Sequence, residues 1–468
     1  MINMSKWAME ARARKLWLRG IAIALTLFVI GHVMVLTVHD VENYPGIDLR
    51  VRVVGARLLI RGMNPYYDFR HEIHPPHLRL LSGDTFSPAL LLLYAPLCEF
   101  DWRVQRVVYF AVDWIAMLLC YVVLARIFPA SVSHLALWIA FVALFIADFG
   151  FRLHLERGQY YVELALLTAA ASVYLFRKTD AWFHSLPLAL LVLLRPTYVI
   201  CILGVILLHR FRHAAYALVL SALLFAATLP FAGIIDWQRY FTSIDGIEGE
   251  LLQSVYSPTP QPAGWVPGEV LEGIDFSKSL TLDLEDQTLI GVARGTVSPA
   301  LARMVRRFAP TASSLERLNR VCLLCAFGFN VAVMCCFWRS SRPNLIAIAF
   351  VFLAPLNLEL FAPTRFAYSD VTILAPLMLV LAASLEGGKG RGWVLYGVLL
   401  LVGFALPGLA FHFDKHVPIV NFSKYVVTVA ILNLVCCKEA WKSVRSTWAR
   451  QKLPDAITAV SAVAPELR

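Results

Sequence analysis

The stretch WLRGIAIALTLFVIGHVMVLTV, residues 17–38, is apolar over a length that can cross a lipid bilayer as a helix. Similar stretches recur along the chain, which is 59% hydrophobic and 16% charged, with a mean hydropathy of +0.66. A soluble domain averages about 45–50% apolar and about 25% charged residues. The composition therefore predicts an all-α polytopic membrane protein and argues against a soluble domain.

The apolar stretches predict about twelve membrane spans. One stretch is interrupted by Arg195-Pro196, and because proline ends a helix, it is read as two short segments, 183–194 and 196–208. The remaining predicted spans are 17–38, 105–127, 134–150, 159–176, 213–231, 319–338, 344–361, 369–385, 392–412 and 418–437.

Basic residues predict the orientation of the chain. Lys and Arg are frequent at both ends and in short loops on the same side of the membrane, so the positive-inside rule makes both termini cytoplasmic. The same distribution accounts for the net charge of +10, and we expect no nucleic-acid partner. The expected location is the plasma or inner membrane. The predicted units are a cytoplasmic N-terminus 1–16, a transmembrane module 17–231 with an exterior (periplasmic) loop 39–104, a second exterior loop 232–318, C-terminal helices 319–437 and a cytoplasmic tail 438–468.

The first exterior loop opens with the amphipathic segment YPGIDLRVRVVGARLLIRGMNPYYD, residues 44–68. Its periodicity predicts a helix from Ile47 to Arg61 that lies along the membrane surface. Asp48 is in the first turn, where the helix dipole and Arg52 both favour a negative charge. An ionised carboxylate beside the membrane can act as a general base. In the alternative interpretation, Asp48 caps the helix and pairs with Arg52.

The other face of this helix and the segment after it suggest a site for lipid. Arg50, Arg57 and Arg61 share a face that suits lipid headgroups or phosphate. Residues 86–99 are apolar, short for a span and contain two prolines, which predicts a re-entrant or interfacial piece. Together the two segments would form one wall of a groove for a lipid substrate, and we expect membrane lipids among the partners.

Several motifs resemble a known family. Asp48 followed by RGMNPY, residues 61–66, is similar to the first exterior loop of GT-C glycosyltransferases, specifically glycosyltransferase family 87, the polyprenyl-phosphate-mannose-dependent mannosyltransferase type. Further motifs agree in order: RGQ at 157–159, LRP at 194–196, DQTLIG at 286–291 and PTRFAY at 363–368. The departures from the family pattern are Arg195, Asp286, Thr288 and the triplet HPP at 74–76.

The resemblance implies a GT-C-like helix bundle and an inverting hexosyltransferase. The sugar, mannose by analogy, would pass from a polyprenyl-phosphate donor to a lipid or glycan acceptor on the exterior face, with Asp48 as general base. Neither a cofactor nor a metal is expected. The candidates for binding donor phosphate or sugar are Arg52, Arg157, Gln159, Arg195 and Arg365, and the candidates for the acceptor or its loops are Tyr66, His74 and Gln287.

Structural roles remain open for several of these residues. Arg157 has Glu156 as an alternative partner, and Arg195 has Asp148 or Glu163. The rival bases are Asp40 and Glu42, which lie closer to the first span. His71, His74 and His77, with Glu72, have metal-ligand chemistry, but Pro75-Pro76 breaks any helix that would bring them together.

Two other functions remain as alternatives. A transporter or flippase of lipid-linked glycans should concentrate ionisable groups at the bilayer midplane and show paired halves. In this chain the patterned charge is in the exterior loops and no repeat is evident, which favours chemistry at the membrane surface. A non-catalytic membrane subunit would not need the helix that carries Asp48.

Overall fold

The computed structural model of the chain describes residues 2–66, 86–128, 133–177, 181–257, 270–271, 274–275, 286–338, 344–362, 364–386 and 418–451. These residues are almost entirely helical. The described strands are β1 Val270–Leu271 and β2 Ile274–Asp275, which pair antiparallel as a small hairpin. The predicted all-helical class is therefore confirmed for the architecture of the described residues.

The N-terminal half contains long helices interleaved with short ones. Two of the short ones, α8 and α9, are separated by the extended residue Arg195 and a 3-10 turn at Pro196–Tyr198, so the predicted break is confirmed. The helices are α1 Ile2–Asn43, α2 Ile47–Ile60, α3 Pro88–Tyr94, α4 Trp102–Ala125, α5 His134–Phe141, α6 Phe149–Arg157, α7 Tyr161–Arg177, α8 Leu186–Leu194 and α9 Val199–Leu207.

The C-terminal half begins with a helix that extends well beyond the predicted span 213–231. This helix bends at Gly233, just after Pro230, and then continues to Tyr256 into the region predicted as a second long loop. The irregular part predicted at 257–268 lies almost wholly outside the described residues. The helices are α10 Phe211–Tyr256, α11 Leu289–Arg294, α12 Pro299–Phe308, α13 Ala312–Trp338, α14 Leu345–Glu359, α15 Leu374–Glu386 and α16 Pro418–Gln451.

Six of the described helical segments are long and apolar enough to cross a membrane, and a seventh is added if the pair α5 and α6, bent by 53°, counts as one span. Exposed Leu, Ile, Val and Phe side chains on α1, α4, α10 and α13 provide an apolar outer surface, as lipid-facing helices require. The count of twelve is not confirmed. Five predicted spans correspond to helices shorter than that length or to the bent pair, namely 134–150, 159–176, 183–194, 196–208 and 344–361, and 392–412 lies outside the described residues.

Helix α2 forms where its periodicity predicts it, but its surroundings differ from the prediction. Arg50 and Arg52 are both buried, because α3 and the 3-10 segment Ala95–Glu99 pack along the helix. Arg50 lies over the ring of Trp102, and Arg57 donates to the carbonyl of Cys98. On the face of Arg50, Arg57 and Arg61 that is expected to meet lipid headgroups, Arg50 is therefore buried, Arg57 is half-buried and Arg61 is exposed, so the expectation is wrong for Arg50. Periodicity shows which residues share a face but not what covers that face.

The short apolar segment after α2 is helical, and its re-entrant or interfacial position stays a prediction. The side chain of Ser87 caps α3 by accepting from the backbone N–H of Leu90, and Pro88 occupies the first helical position. A large apolar core joins α1 to α10 and α13 to α16, and a smaller cluster joins the end of α10 to α11, α12 and α13. The first turn of α2 meets the end of α6 at the edge of the large core.

Candidate active site

Asp48 lies in the first turn of α2, and its side chain is partly open to solvent. The N-cap of the helix is Gly46, so no side chain caps this end, and the interpretation of Asp48 as the cap is wrong. The Asp48 side chain is 22% exposed. Its Oδ2 atom is enclosed and accepts no hydrogen bond from the described residues. The carboxylate therefore has free acceptor capacity next to an opening.

The end of α6 is held against this first turn by a glycine. Gly158 has a left-handed backbone, with φ of +72°, and a Cβ at this position would overlap the Cβ of Leu49. Glycine is the residue that adopts this conformation without strain and leaves room for the neighbouring helix. The close approach brings Arg157 and Gln159, on either side of the glycine, to the Asp48 end of α2.

Arg157 is the basic residue nearest to Asp48 in the ion pairs of the described chain. Its Nε atom lies 4.0 Å from Asp48 Oδ2 and 3.8 Å from Glu156 Oε2. The expected pairing with Glu156 therefore occurs, but Arg157 is shared between the two acids. Because the distances exceed hydrogen-bond range, this guanidinium supplies positive potential beside Asp48 without occupying its oxygens.

Arg52 and Gln159 form a closed layer behind Asp48. Arg52 Nη1 donates to Gln159 Oε1 at 3.0 Å, and the Arg52 side chain has no exposed surface. Its guanidinium lies 4.9–5.6 Å from the ring centres of Phe86, Tyr94 and Tyr160. Arg52 Nε and Nη2 have no hydrogen-bond partner within the described part of the chain. Arg52 is thus a buried cation held by aromatic faces, and it does not pair with Asp48.

A third side of the site is formed by tyrosines and Arg195. The Tyr161 ring lies 5.5 Å from the Tyr368 ring, and Tyr368 is within electrostatic reach of Asp48 and Arg157. Arg195 lies over Tyr161, 5.1 Å from its centre, and its side chain is 13% exposed. Arg195 is therefore linked to the surroundings of Asp48 through the contact of Tyr161 with Tyr368.

Arg195 begins a buried chain of six charges that alternate in sign. Arg195 Nη2 lies 2.9 Å from Glu359 Oε1, so the proposed partners Asp148 and Glu163 are replaced by an acid at the end of α14. The successive contacts after this pair measure 3.7, 2.6, 3.0 and 2.9 Å. The members in order are Arg195, Glu359, Arg365, Asp370, Lys424 and Asp148.

Arg365 and Gln287 lie deep in the protein, away from the opening. The Arg365 guanidinium donates to Gln287 Oε1 and to Asp370 Oδ1, and both Arg365 and Gln287 are buried. Asp286 accepts hydrogen bonds from the backbone and hydroxyl of Thr288 and from the Arg365 backbone. Burial raises the pKa of Asp286 to about 6, despite these hydrogen bonds. This cluster joins the second predicted loop to the PTRFAY segment.

The remaining candidates lie in different settings. Tyr66 is buried, and its ring packs 6.2 Å from that of Tyr240 on α10. His74 and its neighbouring histidines lie outside the described residues. Of the rival bases, Asp40 is fully buried and binds Arg152 through both oxygens, at 2.6 and 3.0 Å, so it has little capacity to accept a further proton. Glu42 is exposed near the end of α1.

Sequence reasoning missed Glu359, Lys424 and Asp370 as parts of this site. The sequence shows Asp370 only as an acid within a span, and acids in apolar segments are usually paired or face a cavity. Glu359 carries the same signal, because it is a lone carboxylate at the end of an otherwise apolar helix. Lys424 likewise interrupts the apolar sequence of α16. Their partners depend on tertiary packing and could not be read from spacing.

Together these features define a polytopic helical membrane protein with a partly open carboxylate, flanked by arginines and tyrosines. The sequence profile of glycosyltransferase family 87 matches residues 85–327, a little over half of the chain. The chain belongs to glycosyltransferase family 87, and it is therefore a glycosyltransferase that acts on a sugar donor and an acceptor. A comparison with curated proteins returned no match. The matched region includes Arg157, Gln159, Arg195 and Gln287, whereas Asp48 precedes it.

Proposed function

We propose that the protein transfers a sugar from a polyprenyl-phosphate donor to a lipid or glycan acceptor, with inversion at the anomeric carbon and Asp48 as the general base. Mannose is the sugar that the family resemblance favours. The reaction would occur on the exterior face of the plasma or inner membrane, with both termini in the cytoplasm. Membership of the glycosyltransferase family supports this reaction over the transport of lipid-linked glycans.

The proposed chemistry is a single displacement. The Asp48 carboxylate takes the proton of the acceptor hydroxyl while the hydroxyl oxygen attacks the anomeric carbon. The bond from that carbon to the phosphate oxygen breaks, and the electron pair leaves with the polyprenyl phosphate. No further reactant is needed. The protein must hold the acceptor beside Asp48 and stabilise the negative charge on the departing phosphate.

The observation that carries the proposal is the state of Asp48. Its side chain is 22% exposed, and its enclosed oxygen accepts no hydrogen bond from the described residues. Arg157 lies 4.0 Å away. A structural acid in a helical membrane protein is normally saturated by its partners, as Asp40 is by Arg152. Asp48 is close to positive charge, but it retains the capacity to bind a proton.

Donor binding is divided between two layers of residues in this proposal. Arg195 is 13% exposed, and Arg157 is largely buried but lies beside the partly exposed Asp48. These two residues would contact the phosphate, since guanidinium groups bind phosphate in a bidentate manner. A second, inner layer consists of the buried residues Arg52, Gln159 and Arg365. These would hold Arg157 and Arg195 in position and add positive potential.

Acceptor binding is the less constrained half of the proposal. Tyr66 and Gln287 are both buried, so a contact with the acceptor would require movement of their surroundings, whereas His74 remains a candidate from its sequence motif alone. Tyr161 and Tyr368 are better candidates for a wall against a sugar ring, because Tyr161 contacts Arg195 and Tyr368 lies within the electrostatic influence of Asp48. Aromatic faces provide large apolar contacts with a polar edge.

The test compares Asp48→Asn with Asp101→Asn in purified protein. Labelled polyprenyl-phosphate sugars are supplied with membrane extract, and chromatography identifies the labelled product. Asn at position 48 keeps the size of the side chain but removes the base, so turnover should fall by about 10²–10⁴-fold. Asp101 caps α4 through Val104 N–H, a role that Asn also performs, and this control should retain activity.

Thermal unfolding separates catalysis from folding in this comparison. Both variants should keep the free energy of unfolding of the wild type within about 0.5 kcal/mol, as surface changes usually do. Full turnover by the Asp48 variant would exclude it as the base. Loss of turnover that tracks loss of stability would assign Asp48 a structural role instead.

A further inference from the structure

Three potential metal ligands converge behind the Arg52 layer, in a part of the protein that the proposed reaction does not use. They are Asp113 on α4, His154 on α6 and Glu163 on α7, and one ligand atom from each lies within 4.8 Å of the other two. Asp113 and His154 have no exposed surface, whereas Glu163 is partly exposed. The cluster is therefore enclosed by three helices with one side less covered.

The cluster contains few well-formed hydrogen bonds. The Tyr109 hydroxyl reaches His154 Nε2 and lies near Asp113, and Asp113 and Glu163 are near each other. Among the described residues, however, both Asp113 oxygens, His154 Nδ1 and Glu163 Oε2 make no hydrogen bond of good geometry. Arg52 and Arg106 are near enough to affect Asp113 electrostatically, but Arg106 donates to the carbonyls of other residues. A fully buried carboxylate beside a second, partly exposed one requires a compensating cation or shared protons.

We propose that Asp113, His154 and Glu163 bind one divalent transition-metal cation. One imidazole and two carboxylates are a ligand set suited to Zn²⁺ or Mn²⁺. The two negative charges balance the charge of the cation, which leaves a neutral site in an apolar environment. The cation would also add positive charge beside the Asp113 oxygens, beyond the more distant contributions of Arg52 and Arg106.

The geometry agrees with this ligand set. His154 Nε2 lies 3.3 Å from Asp113 Oδ1. Ligands at about 2.0–2.1 Å from a tetrahedral Zn²⁺ are separated by about 3.3 Å. Tyr109 brings its hydroxyl to 3.3 Å from His154 Nε2, on the same side of the imidazole. Glu163 would have to approach more closely to complete the group, and its ligand atom is already within 4.8 Å of the others.

The proposed ion would join three helices that carry the candidate active site. Its ligand His154 lies one turn before Arg157 on α6, and its ligand Glu163 is in the first turn of α7, just after Gln159. The ion would fix α6 and α7 relative to α4, and so hold the Arg157 and Gln159 backbone in place. This role is structural, and it does not depend on the identity of the transferred sugar.

The first experiment measures metal content without reference to activity. The full-length protein is purified in detergent without chelators, and its metals are quantified by mass spectrometry. We expect about one Zn²⁺ or Mn²⁺ per chain. After chelation, addition of ZnCl₂ or MnCl₂ should raise the Tm, because a ligand that binds the folded state stabilises it by mass action. Absence of metal, together with an unchanged Tm on addition of either salt, would overturn the proposal.

Matched variants assign the ion to this cluster. Asp113→Asn and His154→Gln should lower metal content at least about tenfold, because loss of a direct ligand exceeds the effect of losing an outer partner. Glu248→Gln changes a half-buried acid on α10 that lies outside the cluster, and it should keep the metal. His74→Ala tests the histidine-rich segment of the first loop.

Each result of these variants decides the assignment. Loss of metal in the cluster variants alone supports the site. Loss in His74→Ala with retention in Asp113→Asn would place the ion in the loop and refute the proposal. If the wild type contains no metal and Asp113→Asn is more stable than the wild type, the two acids share protons, and the metal site is refuted. Because metal content is the readout, the result is independent of Asp48 chemistry.

Discussion

Replacement of Gly158 by alanine tests whether the contact between α6 and α2 sets the geometry of the site. The residue has φ of +72°, and an alanine in this left-handed region costs about 1–2 kcal/mol. The added Cβ would also overlap Leu49 Cβ and lie 3.4 Å from the Leu49 N and Cα atoms. These atoms belong to the backbone of α2 or adjoin it, so a side-chain rotation cannot remove the overlap.

The expected cost has two parts. Overpacking typically adds about 1–3 kcal/mol, which brings the total destabilisation to about 2–5 kcal/mol. Relief of the overlap must move the first turn of α2, and Asp48 is the residue next to Leu49. Since a displacement of about 1 Å in a catalytic group can lower the rate about 10²-fold, Gly158→Ala should lose turnover as well as stability.

Gly62→Ala is the matched control for this substitution. Gly62 follows α2 and has a similar φ of +70°, and a Cβ added there would meet no atom within 4 Å, so this variant isolates the backbone term. The assays are thermal unfolding in detergent and turnover of a labelled polyprenyl-phosphate sugar. The control should lose about 1–2 kcal/mol of unfolding free energy and retain most of its turnover. Equal stability and equal turnover for the two variants would refute the argument that the α2–α6 contact positions Asp48.

Three further changes test other parts of the site. Glu359→Gln removes the acid between Arg195 and Arg365. Because loss of one partner leaves a buried charge unpaired, thermal unfolding should show a loss of about 3–5 kcal/mol of unfolding free energy. A change below about 1 kcal/mol would contradict this. Burial raises the pKa of Asp286 from 3.8 to about 6, so its contribution to stability is complete below pH 3.8 and is lost as the pH rises through 6. Relative to Asp286→Asn, the wild type should lose up to about 3 kcal/mol of unfolding free energy by neutral pH. Parallel curves of stability against pH for the two proteins would contradict this. Arg157→Lys removes bidentate phosphate binding and should lower turnover about 10²-fold in the same chromatographic assay, whereas a rate within about twofold of wild type would exclude the phosphate contact.

Local features of the fold could be predicted from the sequence. The helix of Ile47–Ile60 follows from periodicity and from the Asn64-Pro65 turn beyond it, and the break at Arg195 follows from the proline after it. These features depend on nearby residues and on backbone chemistry. The order of motifs suggests that Asp48, Arg157 and Gln159 lie near one another, and the close approach of α6 and α2 gives this proximity a physical basis.

Other features depend on packing and could not be predicted. The burial of Arg50 follows from the neighbouring segment Ala95–Glu99 and the start of α4, which periodicity does not reveal. The number of spans is hard to predict for a related reason. Short apolar helices such as Leu345–Glu359 have the composition of a span but not its length, and a neighbouring helix rather than lipid covers many of their side chains.

If the donor is a polyprenyl phosphate, as proposed, the alternating chain of buried charges favours Arg195 over the other buried cations as its phosphate contact. Arg365 lies between Glu359 and Asp370, and Lys424 likewise has two carboxylate neighbours, so each of these cations is already compensated on both sides. Arg195 is at the end of the chain and has one carboxylate partner in the described structure. Burial of a charge is costly unless a charge of opposite sign is near, so a terminal cation favours the approach of an anion. Arg195 is also the member of the chain that lies over Tyr161, whose ring is next to that of Tyr368. The cation with the fewest carboxylate neighbours is therefore at the end of the chain where the proposed reaction needs a contact for the departing phosphate.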